Sequence, residues 1–134
     1  MITFRQKIFI FICKGFEIIG PAVLHGYKLV ERKYADIEVS KCDFVHGVLY
    51  GISEQNLNTL DKREGVWIDC YRRITVPIDF NGETVYAQTY EMTERNKMEK
   101  EGQLYPEDYR NRCSIGAQYH HIPNAFETVK IVAY

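Results

Sequence analysis

The stretch that most narrows the fold runs from Tyr71 to Met92. There "YRRITVPIDF" and "ETVYAQTYEM" flank the dipeptide Asn81-Gly82. Asn-Gly tolerates the two left-handed conformations of a type I′ turn, and that turn matches the twist of a two-stranded ribbon. A two-residue loop sets Phe80 against Glu83, Ile78 against Val85 and Val76 against Ala87. Val76, Ile78, Val85 and Ala87 then share one face, which has to be buried. Pro77 has no N–H for a ladder, so it implies an edge position or a bulge in the first strand.

Other segments read as strands too. Ile8 to Cys13 follows Arg5 and Lys7 and superficially resembles a signal peptide, but the run is too short and lacks a small-residue cleavage site. It reads as a buried strand. Two short strands are expected around a Gly20-Pro21 bend, the second from Tyr27 to Val30. Ala35 to Ser40 alternates, and Asp43 to Ile52 puts Phe44, Val48 and Tyr50 on one face with Val45 and Leu49 on the other. Gly47 and Gly51 suggest a bulge or a close backbone approach. The charged segment from Thr93 to Gln103 reads as an exposed connection. Pro106, Glu107 and Asp108 open a helix, and another is expected near Pro123. About six strands and three helices predict an α+β fold, a small mixed, partly closed β-barrel with flanking helices. Residues 1–134 read as a single domain.

Composition removes several classes of function. There are 17 basic and 18 acidic residues, for a net charge of −1. No basic excess argues for nucleic acid or for an anionic membrane. Cys13, Cys42, Cys70 and Cys113 form no CxxC pair, so they read as reduced, structural thiols in a cytoplasmic protein. The histidines, His25, His46, His120 and His121, make no ligand pattern, and no metal or other cofactor is expected. P-loop, GxGxxG, HExxH and G-x-S-x-G motifs are absent.

One carboxylate stands out. Ser53 is a helix N-cap with Glu54 in the first turn, and the helix should run to about Arg63, with Gly65 as its C′ residue. Leu57, Leu60 and Glu64 fall at i, i+3 and i+7 and share a face. Leu57 and Leu60 should point at the core, which turns Glu64 inward. Burial and the negative end of the helix dipole would both raise its pKa, as suits a general acid/base near neutral pH. A solvated glutamate at a helix end is the plain alternative.

The segments "GPAVLHGYKL", "VHGVLYGISEQNLNTLDKREGV", "YRRITV", "AQTYEM" and "YPEDYRNRCSIGAQYHHIP" together resemble the γ-glutamylcyclotransferase family in its longer, AIG2-like form, from roughly Phe16 to Tyr134. The resemblance implies that Glu64 is the catalytic acid/base and that Tyr71, Tyr90 and Tyr109 surround the substrate. It implies cyclisation of a γ-glutamyl amine or amino acid to 5-oxoproline and free amine, without metal or cofactor. The implied partner is a small γ-glutamyl substrate, with the protein a monomer or weak homodimer.

One family feature is missing. Family members follow the first strand with a Tyr-Gly-Ser-Asn loop, whose exposed N–H groups hold the glutamyl moiety in the manner of an anion nest. Here Lys14-Gly15-Phe16 leads almost directly to Gly20-Pro21-Ala22. Three explanations stay open: residues 1–15 belong to a truncated or frame-shifted gene product; the protein keeps binding without turnover; or Gly15 and its flanking amides form a degenerate substrate-binding loop. Weak or undetectable activity is the expectation, and a catalytically silent small-molecule-binding or structural domain of the same fold is the alternative.

Overall fold

The computed structural model describes residues 10–15 and 18–119. Its strands are β1 (Ile10–Lys14), β2 (Ile18–Arg32), β3 (Tyr34–Ile52), β4 (Tyr71–Phe80) and β5 (Glu83–Met92). They close into a barrel in the order β1-β3-β2-β4-β5. Three helices accompany them among the described residues: α1 (Glu54–Arg63), α2 (Glu94–Lys100) and α3 (Glu107–Tyr119). A 3₁₀ turn, Val66–Ile68, joins α1 to β4.

The β4–β5 hairpin has the register its turn dictates. Asn81 and Gly82 have φ of 53° and 81°, and the ladder pairs Phe80 with Glu83, Ile78 with Val85 and Val76 with Ala87. Val76, Ile78 and Ala87 are buried in the barrel core, with Val85 packed against it. A two-residue turn makes Phe80–Glu83 a hydrogen-bonded pair, so alternation puts Pro77–Tyr86 on a non-hydrogen-bonded one. The position of the missing N–H therefore faces β2. There β4 has a single paired position, Val23 opposite Asp79, and the proline costs the ladder little.

The strand count differs from the sequence expectation because four expected segments merge into two strands. Gly20-Pro21 does not break the chain: β2 runs through it, with Pro21 opposite Val48. Likewise the segments 35–40 and 43–52 are one strand, β3. The bends are absorbed as register shifts between Ile18 and Gly20 and between His25 and Tyr27, where Gly26 has φ of 83°. Such irregularities bend and coil long strands, as a small closed barrel requires. They lie in β2 rather than at Gly47. Gly51, in contrast, does mark a close approach: a Cβ on Gly15 would stand 3.1 Å from its Cα.

The two faces of β3 separate as their alternation predicts. Val45 and Leu49 join Phe11, Leu24 and Ile37 in the interior cluster. Val48 and Tyr50 join Ile12, Ile52 and Leu60 in a second cluster beneath α1. Phe44, grouped with Val48 and Tyr50 by alternation, is exposed.

The segment after β5 corrects the reading of an exposed connection: residues 94–100 form α2. Thr93 caps it through an Asn96 N–H···Oγ1 bond of 3.3 Å. Buried charge, rather than an apolar stripe, fastens it to the barrel. Asp36 is 0% exposed. Its carboxylate accepts from Arg32 Nη1 at 2.7 Å, Lys97 Nζ at 2.9 Å and the Met92 N–H at 2.8 Å. Lys97 also reaches Glu91 at 3.2 Å, and Arg32 donates to Glu38 and Glu101. The helix expected near Pro123 lies outside the described residues. No described helix is long and apolar enough to cross a membrane.

Candidate active site

Local sequence sets the position of Glu64. Ser53 Oγ accepts the Asn56 N–H at 3.2 Å and starts α1. Leu60 is buried and Leu57 packs against the second cluster, so the face they share turns inward. Glu64 is the C-cap, half-buried, its N–H donated to Leu60 O at 2.9 Å. Gly65 then takes the left-handed conformation, φ 72°. A Cβ there would come within 3.1 Å of Cys70 Cβ, so glycine is needed both for the turn and for the close packing behind it.

Glu64 lines a cavity of about 620 Å³, within the usual range for small-molecule sites. Tyr71 and Tyr109 line it too, with Tyr34 and Trp67. Tyr71 and Tyr109 are held by one residue of β3. The Tyr71 hydroxyl donates to Ala35 O at 2.9 Å, and the Tyr109 hydroxyl accepts the Ala35 N–H at 3.0 Å. Tyr109 also packs edge-on against Tyr34, ring centroids 5.2 Å apart. The site is thus assembled from the β2–β3 turn, the end of α1, the start of β4 and α3.

Tyr90 sits beneath α1 rather than on the wall of this cavity, and its hydroxyl donates to Asp61 Oδ1 at 2.5 Å. Asp61 in turn lies 3.5 Å from Arg73 Nη2. All three tyrosines nevertheless feel the charge of Glu64. Burial is the main reason that the Tyr71 phenol lies well above its ordinary pKa, with Tyr109, Glu64 and Asp36 adding to it. Burial also leads at Tyr90, ahead of the Asp61 hydrogen bond and the Glu64 charge. Burial leads again at Tyr109, where Cys113 and Glu64 outweigh the opposing Ala35 N–H. Each phenol therefore stays protonated at neutral pH.

Gly15 lines a different cavity, of about 720 Å³, together with Lys14, Ser53, Arg73 and Gln88. The two cavities share no described lining residue. Among the described residues, no group of three His, Cys, Asp or Glu side chains is placed to hold a metal ion.

Sequence reasoning missed the charge on the cavity wall. Among the described residues, Lys33, Lys62, Arg63, Lys100 and Arg112 line it, against one carboxylate, that of Glu64. These cations come from separated stretches of chain and form no linear motif. Trp67, 75% exposed at the rim, was also unread, because the apolar run Val66-Trp67-Ile68 suggests burial. Asp61 was visible only as one residue of the segment "VHGVLYGISEQNLNTLDKREGV".

The closed five-stranded barrel with flanking helices, and a glutamate lining an aromatic cavity, are an α+β architecture with a candidate pocket. The sequence model described as "Gamma-glutamyl cyclotransferase, AIG2-like" matches residues 4–111, and the chain belongs to that family. The match takes in the described part of β1, which closes the barrel by pairing with β3 and β5. Among solved structures, one titled "Gamma-glutamyl cyclotransferase" is 24% identical with a TM-score of 0.64, over 80% of this chain and 68% of that one. The uncharacterized protein loc79017 from Homo sapiens is 25% identical with a TM-score of 0.67, over 80% and 68%. YkqA from Bacillus subtilis is 28% identical with a TM-score of 0.71, over 85% of this chain but 43% of its own length. No curated protein matches the chain.

Proposed function

We propose that this protein cyclises γ-glutamyl amines or amino acids, releasing 5-oxoproline and the free amine, with Glu64 as acid/base. The observation that carries this reading is the convergence of Tyr71 and Tyr109 with Glu64 on one cavity wall. In the reaction, the substrate's α-amino nitrogen attacks its own γ-carbonyl carbon and closes a five-membered ring. The Glu64 carboxylate takes the proton that the attacking nitrogen sheds. It returns that proton to the departing nitrogen as the γ-amide C–N bond breaks. One carboxyl group thus serves both half-steps, and no outside oxidant, metal or cofactor enters the balance.

Tyr71 and Tyr109 bring complementary chemistry. Tyr71 donates its proton to Ala35 O and keeps oxygen lone pairs for the cavity, while the Tyr109 hydroxyl accepts the Ala35 N–H and is also hydrogen-bonded to the Cys113 side chain. Such a pair orients a folded substrate by offering an acceptor at Tyr71 and a fixed aromatic wall at Tyr109. Orientation matters because well-positioned intramolecular steps gain roughly 7–11 kcal/mol. Tyr90 supports the site from behind, through Asp61. Gly15 lines the second cavity, which shares no described lining residue with that of Glu64, so its amides do not join this grip on the glutamyl moiety.

The absent Tyr-Gly-Ser-Asn sequence supports slow turnover. It also favours a second reading, a domain that binds γ-glutamyl compounds without converting them. Incubation with a panel of γ-glutamyl compounds separates the two, because only the enzyme releases 5-oxoproline. The free thiols of Cys13, Cys42, Cys70 and Cys113 suit a reducing, cytoplasmic setting. The near-neutral charge suits a protein that acts on small molecules, as a monomer or weak homodimer, rather than on nucleic acid or membranes.

A further inference from the structure

The proposed reaction leaves the amine side of the substrate unspecified, and the cavity wall speaks to it. The chain as a whole carries 17 basic and 18 acidic residues. Around Glu64 that balance is lost: among the described lining residues there are five cationic side chains and one carboxylate. Some of these cations have partners: Arg112 pairs with Asp108 at 3.8 Å. Lys33, Lys62 and Lys100 have no carboxylate partner among the described residues. Lys33 instead stands 5.8 Å from the Tyr34 ring centroid.

Two of these lysines are fixed in place from behind. Lys33 is the tip of the β2–β3 hairpin, in the left-handed conformation with φ of 64°. Its N–H donates to Gln103 O at 2.8 Å, and the Gln103 N–H donates to Lys100 O at 3.0 Å. Lys100 ends α2, which the Asp36–Lys97 pair ties to the barrel. The buried charge network and the short Lys33–Gln103–Lys100 backbone link therefore bring two lysines to the lining of the same cavity from elements far apart in sequence. A concave wall of one sign concentrates ligands of the other sign. Exposed Trp67 at the same rim adds an apolar and π surface.

We infer that Lys33 and Lys100 form a subsite for a carboxylate on the departing amine, so that the preferred substrates release an amino acid, with an apolar or aromatic side chain set against Trp67, rather than a simple amine. This inference rests on the proposed cyclotransferase reading, but its test separates the two. The probes are γ-glutamyl-phenylalanine and γ-glutamyl-phenethylamine, which differ only in the carboxylate of the leaving portion. Their affinities are measured by NMR titration of the Glu64→Gln protein, and their 5-oxoproline release by the unaltered protein.

The acid should bind about tenfold more tightly than the amine analogue. The Lys33→Gln/Lys100→Gln double variant should bring the two to within about twofold, and Lys33→Arg/Lys100→Arg should keep the preference. Equal binding of the two probes overturns the inference. So does a preference that survives the double glutamine variant, and so does equal weakening of both probes, which would assign these lysines to the glutamyl carboxylate. A lysine-dependent preference without any 5-oxoproline release leaves the subsite standing and overturns the cyclotransferase reading instead.

Discussion

At the scale of single residues, the tyrosines make the sharpest claims. Phenylalanine at Tyr71 removes the donor to Ala35 O in a partly buried setting, and an unsatisfied backbone acceptor costs about 1–3 kcal/mol. Tyr71→Phe should therefore lower the urea midpoint as well as turnover, while an exposed control such as Tyr86→Phe leaves both within error. The raised phenols of Tyr71, Tyr90 and Tyr109 add a pH dependence. A folded-state pKa above the unfolded value of about 10 gives stability that is complete below pH 10 and lost as pH rises toward the folded value. Stability should fall more steeply between about pH 10 and 11 than between pH 8 and 9. Tyr71→Phe should flatten that fall, which urea titrations at the four pH values would show.

Glu64 was legible at this scale because one periodicity, Leu57-Leu60-Glu64, sufficed to place it. The lysine cluster was not legible. Lys33 and Lys100 become neighbours of the cavity only through the Gln103 link, and no local pattern encodes a contact between a hairpin tip and a helix end.

At the scale of elements, the central claim is that charge anchors α2. Asp36→Ala would leave Arg32 and Lys97 short of a buried partner, and breaking a buried pair from one side costs about 3–5 kcal/mol. Thermal unfolding of Asp36→Ala should show a loss of that order, with amide exchange rising first in residues 94–100. A loss under about 1 kcal/mol would mean that α2 is held by something else. This anchor explains why the segment looked like a loop in the sequence. "TERNKMEKEGQ" has no apolar stripe, and its helix is specified by Thr93 at the cap and by a partner, Asp36, some sixty residues away in the chain. The β4–β5 hairpin was fully legible because Asn81-Gly82 and strict alternation are local signals. The merging of short segments into β2 and β3 was not, since a glycine or proline that breaks an isolated strand becomes a bulge once a long partner strand holds both sides.

At the scale of the whole molecule, the barrel closes and Glu64 keeps its place without a Tyr-Gly-Ser-Asn loop. β1 is paired on both sides, so the barrel closes, and Glu64 is positioned by α1 and the 3₁₀ turn rather than by the loop after β1. What the missing loop should reduce is substrate orientation. Replacing residues 1–15 with a family-type strand, Tyr-Gly-Ser-Asn loop and short helix should raise kcat/KM by several powers of ten, within the span that orientation can supply. A folded chimera with no gain would place the glutamyl grip elsewhere.

The most direct test is 5-oxoproline release at high protein concentration from γ-glutamyl amino acids, with the unaltered chain beside Glu64→Gln. A positioned acid/base contributes about 10²–10⁴-fold. The expected result is slow release that falls by at least a hundredfold in Glu64→Gln, with the variant still folded by circular dichroism. Release that survives the substitution, or none from either protein, would contradict the assignment of this site to γ-glutamyl cyclisation.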